Sequence, residues 1–294
     1  MAPLDKSGIR LIFFAMLLAG IGPTLVRNSP VDFAATAFWR LAIALPVAYF
    51  MARRSILLPW RSMLWIALGG LLLGGDLVFW NGAVMHTTIL EATILVMLYP
   101  LLVAIGGYLI FKERVTARLG LGGAIAFGGL ILMVTTAAKT GAGNSSLLGD
   151  GMAIAAAFFY GGSVLISSHH CRKHDTVAVT FWVMCWGAIG ALPFVVFGEH
   201  PYPVTVNGWL YIAFYGAVTL ASYSLFNRGL KTVPAAMATI LGYGQPVIAT
   251  LIAYLFMHET PALLGIVGSC VIIGGLAIAT IQPKAVITVS APAE

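Results

Sequence analysis

Charge is what this sequence has least of. Of its 294 residues, 9% are Asp, Glu, Lys or Arg, against about 25% in an ordinary soluble domain. That shortage excludes a chain held in water by its own surface. Acid is scarcer than base, with 10 Asp and Glu against 16 Lys and Arg, so a ring of like carboxylates of the kind that builds a cation channel is not visible. Three cysteines occur. Cys171, Cys185 and Cys270 have no metal-ligand spacing and read as free thiols rather than a disulfide framework or a zinc site. A His-Glu-x-x-His motif is missing. No strand precedes the glycine pairs Gly69-Gly70, Gly122-Gly123, Gly128-Gly129 and Gly274-Gly275, so they read as small faces that let membrane helices approach, not as phosphate loops. Neither a metal nor any other cofactor is expected.

What is present is apolar: 60% of the chain. Runs of roughly 20 residues suffice to cross about 30 Å of hydrocarbon, and ten of them can be read. They are 9–26, 33–51, 63–84, 88–111, 119–136, 147–168, 177–197, 208–230, 234–257 and 262–281. The first, preceded by Lys6 and Arg10, lacks a small-x-small cleavage site and is expected to be retained as a helix. The stretch after Pro283 reads as a short disordered tail.

The net charge of +6 would point to nucleic acid in a soluble protein, but here the bases fall in the gaps between apolar runs and act as topology signals. One side of the membrane collects Lys6, Arg10, Arg53, Arg54, Arg61, Lys112, Arg114, Arg118, Arg172, Lys173, Arg228, Lys231 and Lys284; the other holds Arg27 and Lys139, with Arg40 inside the second helix. The asymmetry predicts both termini in the cytoplasm, and a wrong helix count would have scrambled it.

The stretch Ala92 to Pro100 returns 146 positions later as Ala238 to Pro246. At that offset Asn81 meets Asn227, Tyr108 Tyr254, Glu113 Glu259, Gly122 Gly268, and Gly128-Gly129-Leu130 meets Gly274-Gly275-Leu276. The chain is therefore expected to be a duplicated five-helix unit, residues 1–140 and 141–283, followed by the tail 284–294. Five is odd, so the halves are inverted, as in secondary transporters with a midplane site between the repeats.

This pattern resembles the drug/metabolite transporter superfamily, in the branch built from two EamA-type repeats. The resemblance is carried by Phe38-Trp39-Arg40-Leu41, by Pro100 followed by Phe111-Lys112-Glu113-Arg114-Val115-Thr116, by Gly122 and Gly128-Gly129, and by the second copies of these. Tyr223 to Leu230 and Gly242-Tyr243-Gly244-Gln245-Pro246 are most similar to the YddG-type exporters of aromatic amino acids. The resemblance implies an all-α polytopic protein of the bacterial inner membrane, ten helices as two inverted repeats around a central cavity. It also implies export of neutral, bulky amino acids and related metabolites. It names small-molecule cargo and the lipid bilayer as partners, and leaves the oligomeric state open, a monomer included.

Among the charges inside the apolar runs, Arg40, Asp76 and Glu91 stand out. Each costs at least ~2.5 kcal/mol to insert. Arg40 and Asp76 lie at similar depth, so they can pair, or one can meet a charged substrate group or a proton; Glu91 sits near the outer end of its helix, where solvent can reach it. Pro100 and Pro246 break the fourth and ninth helices, the latter loosened further by Gly242 and Gly244, and such breaks serve either as gating elements or as plain kinks. Asp76 and Trp80 share a face of the third helix, Tyr160 and Ser163 of the sixth, Tyr215, Thr219 and Ser222 of the eighth. Candidate substrate contacts are Asp76, Trp80, Tyr99, Tyr160, Ser163, Tyr223, Tyr243 and Gln245. Glu113 and Glu259 recur but precede helix starts, with Thr116 and Thr260 as N-caps.

Two alternatives remain beside amino-acid export: a same-fold exporter of drugs, sugars or nucleotide-linked metabolites, and, remotely, an intramembrane protease suggested by Gly74-Gly75-Asp76. The protease needs two carboxylates sharing a proton, and a second aspartate within another helix is not expected. The chain therefore reads as a carrier rather than an enzyme.

Overall fold

Every described element is a helix. The structure is a computed structural model that describes residues 6–87, 89–112, 115–137, 146–248, 250–251 and 263–280. Glu113, Glu259, Thr260 and the tail 284–294 lie outside these residues, as does the side chain of Glu91.

In chain order the helices are α1 (Lys6–Ala19, resumed as Gly22–Arg27), α2 (Phe33–Ala42, resumed as Leu45–Ala52), α3 (Trp60–His86) and α4 (Ile89–Val96, resumed as Tyr99–Phe111). Then come α5 (Ala117–Ala137), α6 (Leu147–Lys173), α7 (Thr176–Val195) and α8 (Val206–Leu230). Next is α9 (Ala235–Leu241, passing into the 3-10 turn Gly242–Gly244) and finally α10 (Leu263–Thr280). Among the described residues eight spans are long and apolar enough to cross a bilayer, and α5 supplies a shorter apolar helix, Ala117–Met133. The ninth run is described through residues 245–248 and 250–251.

Local chemistry sets the starts. Ser146, Asp175 and Thr205 cap α6, α7 and α8 by accepting from the backbone N–H of Gly149, Val177 and Gly208. Thr116 Oγ1 accepts from Leu119 N at 3.2 Å at the head of α5, satisfying donors that a helix start leaves orphaned. Proline sets the breaks. Those in α4 and α9 fall where the sequence places them, but α1 and α2 are interrupted too, each restarting with a proline in its first turn. Pro23 and Pro46 lie at these two restarts, so the runs 9–26 and 33–51 each fold as two helical segments.

The halves interlock rather than sit side by side. α3 packs on α6 and α7, its repeat mate α8 packs on α1 and α2, and α5 packs on α10. At the last contact a Cβ on Gly122 would lie 2.5 Å from Gly275 O, and one on Gly129 2.8 Å from Gly268 O. Because Gly122 and Gly268, and Gly129 and Gly275, are repeat mates, exchanging the halves maps the contact onto itself. As one helix ascends from 122 to 129 the other descends from 275 to 268, so the mates run antiparallel and the repeats are inverted. The repeated asparagines do matching work: Asn81 Nδ2 donates to Phe33 O at 2.8 Å, tying α3 to α2, and Asn227 Nδ2 donates to Thr180 Oγ1 at 2.9 Å, tying α8 to α7. Outside this framework Phe14, Phe50, Trp65, Leu109, Phe158 and Phe214 are exposed, the apolar rim that hydrocarbon covers.

One expectation is corrected here. A second aspartate does lie within a helix: Asp150, in the first turn of α6. It accepts from Thr87 Oγ1 at 2.8 Å at the helix end, and does not share a proton with Asp76.

Candidate functional site

Between the halves lies a cavity of about 170 Å³, room for about six waters and so for a small metabolite. Its walls come from both repeats: Met16 and Gly22 of α1, Arg40 of α2, Asp76 and Trp80 of α3, Val96 and Met97 at the break of α4, Tyr99, then Tyr160 of α6, Tyr215, Thr219, Ser222, Tyr223 and Phe226 of α8, and Gln245 beyond the turn in α9. Three of the four broken helices therefore reach the cavity at or near their breaks, and α2 reaches it with Arg40, one turn before its own.

Asp76 and Arg40 are each 6% exposed. They do not form an ion pair: among the described residues the ion pair found is His200 with Asp32. The pairing of Arg40 with Asp76 allowed by their similar depth fails because Arg40 Nη1 instead donates to the Tyr215 hydroxyl, with the guanidinium carbon 5.0 Å from the Tyr215 ring centroid. Arg40 Nε is buried without a partner. Asp76 carries no hydrogen bond from protein among the described residues and fronts the cavity. Arg40 and Asp76 are thus kept apart in a setting where an inserted charge costs about 2.5 to 3.5 kcal/mol.

Trp80, one turn from Asp76, lies on the same wall. Tyr99 and Tyr160 meet edge to face with centroids 4.7 Å apart, and the Tyr99 hydroxyl donates to Thr239 O at 3.4 Å, so the first repeat's break is tied to the second's. Below Tyr160 and Tyr223 a smaller void of about 10 Å³, lined also by Ser163, Ser167 and Asn227, has room for about one water.

Of the residues singled out from sequence, Asp76, Trp80, Tyr99, Tyr160, Tyr223 and Gln245 converge on the main cavity, with Arg40. Ser163 faces the smaller void. Tyr243 does not line either: it packs against Phe127 of α5 at 5.9 Å. The 3-10 turn winds the chain more tightly than an α-helix, turning Tyr243 away and bringing Gln245 round, where its Nε2 lies 2.9 Å from Met16 Sδ. Pro100, Gly242, Gly244 and Pro246 shape the breaks without lining the cavity. Sequence reasoning overlooked Met16 and Gly22. The cluster Gly20-Ile21-Gly22-Pro23 carried the signal, a breaker inside an apolar run.

The profile of the EamA-like transporter family matches residues 6–135 and 147–281. The chain belongs to this family. The transporter is 27% identical over 276 residues to an uncharacterized transporter of Archaeoglobus fulgidus, covering 93% of this chain and 96% of that one. It is 22% identical over 271 residues, 91% of this chain and 94% of the other, to the pseudopaline exporter CntI of Pseudomonas aeruginosa. A crystal structure superposes on it with a TM-score of 0.76 at 22% identity, covering 95% of the transporter and 99% of that chain, a likeness of fold.

Proposed function

We propose that the transporter exports neutral, bulky amino acids, aromatic ones foremost, and related metabolites across a bacterial inner membrane by alternating access between residues 1–140 and 141–283, with both termini in the cytoplasm. The observation that carries this reading is the composition of one cavity: aromatic side chains from both repeats, Trp80, Tyr99, Tyr160 and Tyr223, around Arg40 and Asp76, which do not pair with each other. Flat apolar side chains gain from stacking and area burial there. Ser163 and Gln245 add hydrogen-bonding capacity at the margins. Tyr243 steadies the broken helix, and Pro100, Gly242, Gly244 and Pro246 supply the hinges on which the halves rock.

Cells overproducing the transporter should tolerate several-fold more of a toxic aromatic amino-acid analogue, and should accumulate phenylalanine, tyrosine or tryptophan in the medium; Trp80→Ala should remove most of that tolerance. Unchanged tolerance at confirmed membrane levels would count against the reading. A second reading, export of a metabolite other than a free amino acid, is supported by the relative named as a pseudopaline exporter.

A further inference from the structure

Arg40 and Asp76 face one cavity from neighbouring helices of the first repeat, and among the described residues neither has an ion-pair partner. Leaving two such charges separated in a membrane is unfavourable unless something else completes them. Tyr215, 2% exposed, holds one terminal nitrogen of Arg40, which fixes the plane of the guanidinium, while its Nε is buried without a partner and its other terminal nitrogen has no hydrogen bond among the described residues. Asp76 is open on the cavity side, next to Trp80. A hydrogen bond to each charge is about 2.8 Å long, so a ligand lying between them requires side chains that are beyond contact with one another, as these are.

We propose that Arg40 and Asp76 form a split clamp for one zwitterion, Asp76 accepting from its ammonium group and Arg40 donating to its carboxylate. The inference rests on the reading of this cavity as the transport site, and it narrows the cargo to molecules carrying both ends. An arginine alone would select anions and a lone aspartate cations; together they match a dipole of zero net charge. Trp80, Tyr99 and Tyr160 then receive the side chain, and Tyr215 is a positioning residue that acts through Arg40.

Counterflow of labelled phenylalanine into liposomes carrying the purified transporter tests the clamp, with unlabelled phenylalanine, N-acetylphenylalanine, phenylalanine methyl ester and phenethylamine as competitors. The three analogues that lack one charged end should compete at least tenfold more weakly than phenylalanine. Asp76→Asn should weaken phenylalanine tenfold or more and erase its advantage over N-acetylphenylalanine, while Arg40→Gln should erase its advantage over the methyl ester. Tyr215→Phe, which keeps the charge, should shrink the methyl-ester gap selectively and serves if Arg40→Gln fails to insert. Competition by all analogues within twofold of phenylalanine would overturn the clamp and leave amino-acid export standing. Phenethylamine competing better than phenylalanine would overturn the clamp in favour of a cation site at Asp76. Absence of counterflow for any neutral aromatic amino acid would overturn both the clamp and the export reading.

Discussion

Tyr215 decides where Arg40 points. Its hydroxyl takes a guanidinium N–H that would otherwise be buried unsatisfied beside the already orphaned Nε, and hydrogen bonds to charged groups contribute about 1.5 to 3 kcal/mol. Tyr215→Phe should therefore lower stability by about that amount, read as a drop in unfolding temperature in detergent. At the membrane edge Asp175 caps α7, accepting from Val177 N at 3.0 Å. A hydrogen bond from Ser55 foremost, then that from Val177 and the charges of Lys231 and Arg228, hold its carboxyl below the usual carboxylate range. A depressed folded-state pKa contributes stability that is present above the unfolded value, about 3.9, and is lost as pH falls through the folded value. Asp175→Ala should cost about 1 kcal/mol near neutral pH, and the difference from wild type should shrink as pH falls below the unfolded value and on through the folded one. Arg40 and Asp76 were legible in the sequence because a charge in an apolar run stands out. Their failure to pair was not, since it depends on the rotation of α2 toward α8, which no spacing within either helix records.

Four helices are interrupted, and the interruptions of α4 and α9 meet. The Tyr99 hydroxyl reaches Thr239 O and sits directly against Gly242, so a methyl group at 242 must displace it. Gly242→Ala should leave the protein in the membrane but open the junction between the two breaks, seen as faster labelling of a cysteine placed at Ser163. Unchanged labelling would mean that the junction does not close the path between the cavity and the void beneath it. Where α5 crosses α10, a side chain at Gly129 would press on Gly268 O and Ile272 N, 2.8 and 2.7 Å from a Cβ. Gly129→Val should force the helices apart and reduce folded yield several-fold, whereas the same change at Gly128, which faces open space, should be tolerated. The breaks in α4 and α9 were legible because the same breaker recurs at a fixed offset. Those in α1 and α2 were not read, because Pro23 lies close to a helix end and Pro46 has no glycine beside it.

At the scale of the molecule, the odd number of helices per repeat implied inversion, and the self-mapping Gly122/Gly275 and Gly129/Gly268 contacts display it. The lateral order of helices, which sets α3 on α6 and α8 on α1, was beyond the sequence, because every face of every helix is apolar enough to meet either lipid or protein. Reporter fusions at the two ends should both read as cytoplasmic; an external signal from either would contradict the charge asymmetry. Transport of aromatic amino acids through the cavity between the halves can be followed by tracer exchange in reconstituted liposomes. With unlabelled tryptophan inside and tracer tryptophan outside, tracer should accumulate transiently and saturably, as it does not in empty liposomes, and Asp76→Asn should reduce that accumulation tenfold or more. Tracer entry no greater than in empty liposomes, for tryptophan, phenylalanine and tyrosine alike, would contradict such transport.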